Sequence, residues 1–128
     1  VMQCGADGLA GDPLGDGFGL TPKAIAACVG RAVSWGAPLL LLGGGGYNSP
    51  AVARTWTAAT AAALGVSLPD DIPEHQHFPA YGPDFRLFSL PCPSLRPDLN
   101  DREEVLEDCE WLLAQLRTAL AEKYHSSG

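Results

Sequence analysis

Pro38-Leu39-Leu40-Leu41-Leu42-Gly43-Gly44-Gly45-Gly46-Tyr47-Asn48-Ser49-Pro50 is the stretch that decides the fold. Its leucines do not alternate with polar residues, as expected of a strand covered on both faces within a parallel sheet. Leucine alone would suit a helix equally. The proline ahead of the run and the four glycines behind it limit it to strand length, and that selects the strand. Ser49-Pro50 then opens a helix, because a Ser side chain can accept a free backbone N–H and proline at the first position sacrifices no bond. Val52, Trp56 and Ala59 are expected to line its packed face, and Gly65 to close it.

The same strand, loop and helix occur once upstream. Val1-Met2-Gln3-Cys4 reads as the end of a buried strand without a polar lead-in, so the chain is expected to be part of a larger domain. The loop Gly5–Pro13 is too rich in glycine to be regular. Thr21-Pro22 starts a helix by the cap-and-proline device, Ile25, Cys28, Val29 and Val33 mark its buried stripe, and Gly36 ends it. Two such units imply right-handed crossovers and an α/β fold. Prolines at 69, 73, 79, 83, 91, 93 and 97 forbid long helices in the next segment, where only Phe85–Leu90 suits a short strand. Asn100 with Glu103 then forms a capping box for a final helix, whose Val105, Cys109, Leu112, Leu113, Leu116 and Leu120 are expected to pack.

Composition narrows the function. With 46% apolar and 18% charged residues among 128, the chain can bury a core, and no apolar run reaches membrane-spanning length. Residues 1–66 hold three acids (Asp7, Asp12, Asp16) and three bases (Lys23, Arg31, Arg54), so the whole net charge of −7 falls on residues 67–128. Binding phosphate backbones needs clustered Lys and Arg, so no direct nucleic-acid contact is expected. The acidic half reads as a solvated helix face. Cys4, Cys28, Cys92 and Cys109 show no CxxC spacing and fit reduced thiols in a cytosolic or nuclear protein.

Ligands of open parallel sheets bind past the carboxyl ends of the strands, where loops converge. The first loop there presents Asp7 and the second presents Tyr47 directly after four glycines. A carboxylate on a glycine-rich turn is a metal ligand, a general base or a turn-stabilising Asx residue, and spacing alone leaves all three open. Consecutive glycines are best explained by a close approach of ligand or chain to the backbone. They lack the spacing and the lysine of a phosphate loop. His75-Gln76-His77 has no acid or Cys at a zinc spacing, so ordinary loop histidines are expected.

Gln3-Cys4-Gly5-Ala6-Asp7 with Ala10-Gly11-Asp12, then Leu42-Gly43-Gly44-Gly45-Gly46-Tyr47-Asn48 with Val52-Ala53-Arg54-Thr55-Trp56-Thr57, and then Tyr81-Gly82-Pro83-Asp84-Phe85 resemble the C-terminal part of the class I zinc-dependent histone deacetylases. The resemblance covers nearly the whole chain. The lack of Arg after Gly11-Asp12 and the Tyr47-Asn48 pair make it nearest the family's type 8 branch. It implies a three-layer arginase/deacetylase-like α/β fold with a mostly parallel sheet, in which residues 1–128 form the C-terminal part of a single deacetylase domain. It also implies hydrolysis of acetyl-lysine amides on histones or other proteins, in the nucleus and cytoplasm.

By that resemblance Asp7 is a carboxylate ligand of the catalytic Zn2+, and Tyr47 donates its phenol O–H to the substrate carbonyl. Gly45 and Leu14 line the channel around the lysine stem. The remaining zinc ligands, the histidine pair and the potassium sites belong to sequence N-terminal to residue 1. The implied partners are therefore that missing portion and the acetylated substrate, and the chain alone is expected to be silent. A catalytically dead truncated form acting as a protein-interaction module is the alternative, and an arginase-like metallohydrolase without a catalytic tyrosine is a third reading. Pro13 and Pro50 stand where inositol-phosphate-regulated members carry bases, so that regulation is not expected. Leu14-Gly15-Asp16-Gly17-Phe18 is one residue longer than the usual spacing.

Overall fold

In the computed structural model, which describes residues 1–15, 18–90 and 103–125, β1 (Met2–Gln3) and β2 (Leu41–Leu42) run parallel, Met2 opposite Leu41 and Gln3 opposite Leu42. Hydrogen bonds from Met2 N–H to the Leu40 carbonyl and from Cys4 N–H to the Leu42 carbonyl, both 2.8 Å, continue the ladder. The second strand is shorter than Pro38–Leu42 because β1 offers it so few partners. Leu41 packs inward, but Leu40 and Leu42 stay 56% and 47% exposed. Among the described residues, then, one sheet face is covered and the expected burial of both is not made.

Thr21 caps α1 (Pro22–Ser34) as its sequence requires, its Oγ1 accepting the Ala24 N–H at 3.2 Å. Val29 is fully buried and Ile25 packs beside it, but Val33 is exposed, so the stripe ends at Ala32. The cap of α2 (Ser49–Leu64) is Asn48, whose Oδ1 accepts the Ala51 N–H at 3.2 Å; Ser49 is already helical. The buried face of α2 keeps Ala59 as expected, with Val52 packed at its edge, but is wider than expected. It comprises Ala51, Arg54, Thr55, Ala58 and Ala59, while Trp56 is turned partly outward. Gly65 closes the helix in the left-handed region.

The two helices pack on each other and on one sheet face. Cys4, Val29 and Ala59 form one buried cluster, joined by Met2, Ile25 and Leu41; Ala6, Leu9 and Ala51 form another under the loop that follows β1. Farther on, a single turn of 3-10 helix (Phe78–Tyr81) is followed by an antiparallel bridge between Asp71 and Arg86. Phe85 lies at φ 51°, outside the extended region, and this breaks the strand expected over 85–90.

These elements belong to one compact unit, Val1–Leu95; a second, Arg96–Gly128, contains α3 (Glu103–His125). Glu103 and Glu104 place negative charge in its first turn, where free N–H groups favour it. Leu112, Leu113, Leu116 and Leu120 are each about half exposed, against the expectation that this stripe packs. The Asn100 cap, like Asp16 and Gly17, lies outside the described residues. Among the described residues no helix is long and apolar enough to cross a membrane.

Candidate active site

The loops that follow β1 and β2 are joined by their backbones. Ala6 N–H donates to the Gly45 carbonyl at 2.6 Å, bringing Asp7 and Gly45 together. The Asp7 side chain lies over Gly45 so closely that a Cβ built there would come 2.7 Å from the Asp7 Cγ and nearer still to its Oδ2. A Cβ on Gly5 would meet Oδ1 at 2.8 Å. The glycine at 45 is thus required by the carboxylate that crosses it. Gly46 sits at φ 141° against Ala6 and Val52, where a side chain would be strained as well as crowded.

Among the described residues, no N–H or O–H donor reaches the Asp7 carboxylate. The turn-stabilising work is done by Asp12 instead. Asp12 Oδ1 accepts the N–H groups of Leu14 at 2.9 Å and Gly15 at 3.1 Å, while Oδ2 accepts the Tyr47 N–H at 2.7 Å across 35 residues of chain. Desolvation pushes the Asp12 carboxyl up, but the N–H groups of Tyr47, Leu14, Gly15 and Asn48 together outweigh it and hold the group below its ordinary value. Tyr47 and Leu14 are therefore tied to one another through Asp12, with side chains that are largely exposed, Tyr47 at 57%.

Two further buried polar links support this edge of the sheet. Trp56 donates its indole N–H to the Cys4 carbonyl at 2.8 Å, holding α2 to the end of β1. Arg54 is buried, donating from Nε to the Arg86 carbonyl at 2.8 Å and from one terminal nitrogen to the Tyr81 carbonyl at 2.7 Å, with its guanidinium 4.9 Å from the Tyr81 ring centroid. Burial pulls the Arg54 pKa down, opposed by Tyr81 and Asp84. Sequence reasoning missed Asp12 and Arg54 as organising residues. The Asx pattern of Asp12 followed by Pro13 and a glycine-rich run was a legible signal for the first; nothing local announces a buried arginine.

His75 serves its own loop, accepting the His77 N–H on Nδ1 at 3.1 Å and lying edge-on to Tyr81 with centroids 5.4 Å apart. Among the described residues no three His, Cys, Asp or Glu side chains gather to hold a metal ion. Cys4 is buried, and burial, with Cys28 adding to it, pushes its thiol up, which keeps it protonated and unreactive. Cys28 and Cys109 are exposed, which departs from the expectation that their apolar helix stripes cover them. Two open cavities, of about 490 and 380 Å³, lie along α2 and the segment after it, and neither is lined by Asp7, Gly45 or Tyr47.

The histone deacetylase domain model matches residues 1–63. Over 117 residues, 91% of the chain, it is 44% identical to histone deacetylase 8 of Xenopus laevis, covering 35% of that protein. It is 47% identical over 105 residues to histone deacetylase 8 of Danio rerio, 82% of this chain and 27% of that one. Against histone deacetylase 1 of Homo sapiens the identity is 43% over 107 residues, 84% of this chain and 22% of the relative. The chain thus spans about a third or less of the length of these relatives.

Proposed function

The chain belongs to the histone deacetylase family, and from that membership we propose that it forms the C-terminal part of a zinc-dependent lysine deacetylase domain of three-layer arginase/deacetylase type. Its work is the hydrolysis of acetyl-lysine amides on histones or other proteins, in the nucleus and cytoplasm. One observation carries the reading: a carboxylate without a donor among the described residues, Asp7, seated on Gly45 of the loop that leads into Tyr47.

Asp7 suits one position in a zinc ligand set, since a carboxylate that no N–H among the described residues satisfies keeps its lone pairs for an ion. By the family resemblance the other ligands, the histidine pair and the potassium sites would come from sequence N-terminal to residue 1; among the described residues no three His, Cys, Asp or Glu side chains gather. When bound, zinc would polarise the acyl carbonyl and acidify the attacking water. Tyr47 would donate its O–H to the oxyanion as charge develops, adding no net charge of its own. Gly45 leaves the wall beside Asp7 free of side chain for the lysine stem, and Leu14 lies near the mouth. Alone, the chain would be inactive. The bare sheet face of Leu40 and Leu42 supports the need for more of the domain, because parallel sheets are buried on both faces.

The test is reconstitution: the chain is mixed with the upstream part of the domain and assayed on an acetyl-lysine peptide with and without a chelator. Turnover that appears only in the mixture and disappears with the chelator is the expected result. Tyr47→Phe should then lower turnover by about 10²-fold or more with zinc retained, whereas Asp7→Asn should weaken the metal. An intact complex that never turns over would instead favour the interaction-module reading, and a fully active Tyr47→Phe enzyme would remove Tyr47 from the chemistry.

A further inference from the structure

We infer that Asp12 is the positioning residue for Tyr47, one carboxylate that locks the loop after β1 and the loop after β2 into a single body and so aims the phenol. What Tyr47 does rests on the deacetylase reading; the clamp itself does not.

The inference comes from asking what holds the phenol. Tyr47 is 57% exposed, and its hydroxyl has no hydrogen-bond partner among the described residues, so no hydrogen bond of the phenol fixes its direction. Its backbone does. Asp12 Oδ2 takes the Tyr47 N–H at 2.7 Å from one side, and from the other Asn48 caps α2 by accepting the Ala51 N–H at 3.2 Å. With the peptide pinned at both ends, the Cα–Cβ bond has one direction and the phenol can sweep only its side-chain rotamers.

The same Asp12 spends its other oxygen on Leu14 and Gly15, so the channel residue and the phenol share one anchor. Both carboxylate oxygens are needed. Asparagine offers one carbonyl oxygen and an NH2 that cannot accept, so Asp12→Asn can keep one loop but not both.

Two measurements test this. Amide hydrogen exchange on the chain itself reads the clamp directly. Asp12→Ala should speed exchange at Leu14, Gly15 and Tyr47 together by about 10-fold or more, a loss of roughly 1.4 kcal/mol of protection or more, and Asp12→Asn should speed only one of the two loops. Unchanged exchange at Tyr47 in both variants overturns the clamp. In the reconstituted enzyme, Asp12→Ala should lower kcat by about 10- to 100-fold, the scale of a misplaced reacting group, with zinc affinity within about 2-fold of the parent and any rise in KM reporting the Leu14 side of the clamp.

The deciding arm is the double variant. Because Asp12 acts through Tyr47, adding Asp12→Ala to Tyr47→Phe should cost little more than Tyr47→Phe alone. Additive losses, or a harmless Asp12→Ala beside a crippling Tyr47→Phe, refute the positioning role. A harmless Tyr47→Phe refutes the deacetylase reading and leaves the exchange result to judge the clamp. If Asp12→Ala does not fold, Asp12→Asn carries the exchange measurement, and unchanged exchange at Leu14, Gly15 and Tyr47 alike overturns the clamp.

Discussion

Replacing Gly45 by alanine separates what the four glycines do for the fold from what they do for the chemistry. A methyl group at 45 would meet the end of the Asp7 side chain, its Cγ at 2.7 Å and its Oδ2 closer, whereas a methyl group at 44 would meet the Gly5 Cα at 2.8 Å as well as the Gln3 amide. The obstacle differs in kind. A carboxylate on two rotatable bonds can swing away, but the backbone at Gly5 is held by the ladder that ends at Cys4.

Gly44→Ala should therefore behave as overpacking against backbone and cost about 1–3 kcal/mol of stability, read as a lower urea midpoint at unchanged slope. Gly45→Ala should keep most of the stability and lose the position of Asp7. In the reconstituted enzyme that displacement should weaken zinc by about 10- to 100-fold, the scale seen when the support of a ligand is disturbed, with turnover restored in part by excess metal. The assay pairs urea unfolding of the chain with zinc competition against a chromophoric chelator. A Gly45→Ala enzyme with parental zinc affinity would show that Asp7 does not need the space above Gly45. A Gly45→Ala chain as unstable as Gly44→Ala would show that the carboxylate is as rigid as backbone.

Asn48→Ala should cost about 1 kcal/mol in urea unfolding through loss of the α2 cap, and Ser49→Ala only a few tenths; equal effects would mean that the cap geometry is wrong. Arg54→Met should cost about 3 kcal/mol, since two charge-assisted bonds to the carbonyls of Tyr81 and Arg86 are lost. Arg54 serves its two acceptors from two separate nitrogens, which a single ammonium cannot reproduce, so Arg54→Lys should recover little of this, and an Arg54→Lys midpoint equal to the parent's would show that these two bonds contribute nothing. The Phe88 N–H, against an opposing contribution from desolvation and with help from Arg86, holds the Asp70 carboxyl below its ordinary value. A folded pKa below the unfolded value of about 3.9 gives stability that is present above that pH and lost as the pH falls through the folded pKa. Asp70→Asn should accordingly flatten the acid limb of urea midpoints measured between about pH 5 and 2, and an unchanged limb would show that Asp70 contributes nothing to it.

The parts of the fold legible in sequence were those governed by a few neighbouring residues. Thr21-Pro22 and Gly65 mark their helix ends because a cap or a left-handed residue is satisfied within one turn. Asn48 was passed over for Ser49 because both can cap and only the path of the backbone chooses between them. The buried face of α2 was assigned only in part for a related reason. Hydrophobic spacing points to Val52, Trp56 and Ala59; Ala59 is buried and Val52 packs at the edge, but close packing against α1 also puts Ala51 and Ala58 inside, together with the polar Arg54 and Thr55, and leaves Trp56 partly exposed.

By itself, the sequence determined the order of strand, loop and helix, and it singled out two loops, with Asp7 and Tyr47 in them, as candidates for chemistry, since period, glycine content and short motifs are local properties of the chain. Only the tertiary structure decided that Asp7 has no donor among the described residues, that it is the reason for a glycine at 45, and that Asp12 joins Leu14 and Gly15 to Tyr47. Those facts depend on which atoms of two loops 35 residues apart come within hydrogen-bonding distance. No local pattern encodes such a distance, because it is set by the pairing of β1 with β2 and by the packing of α1 and α2 beneath them.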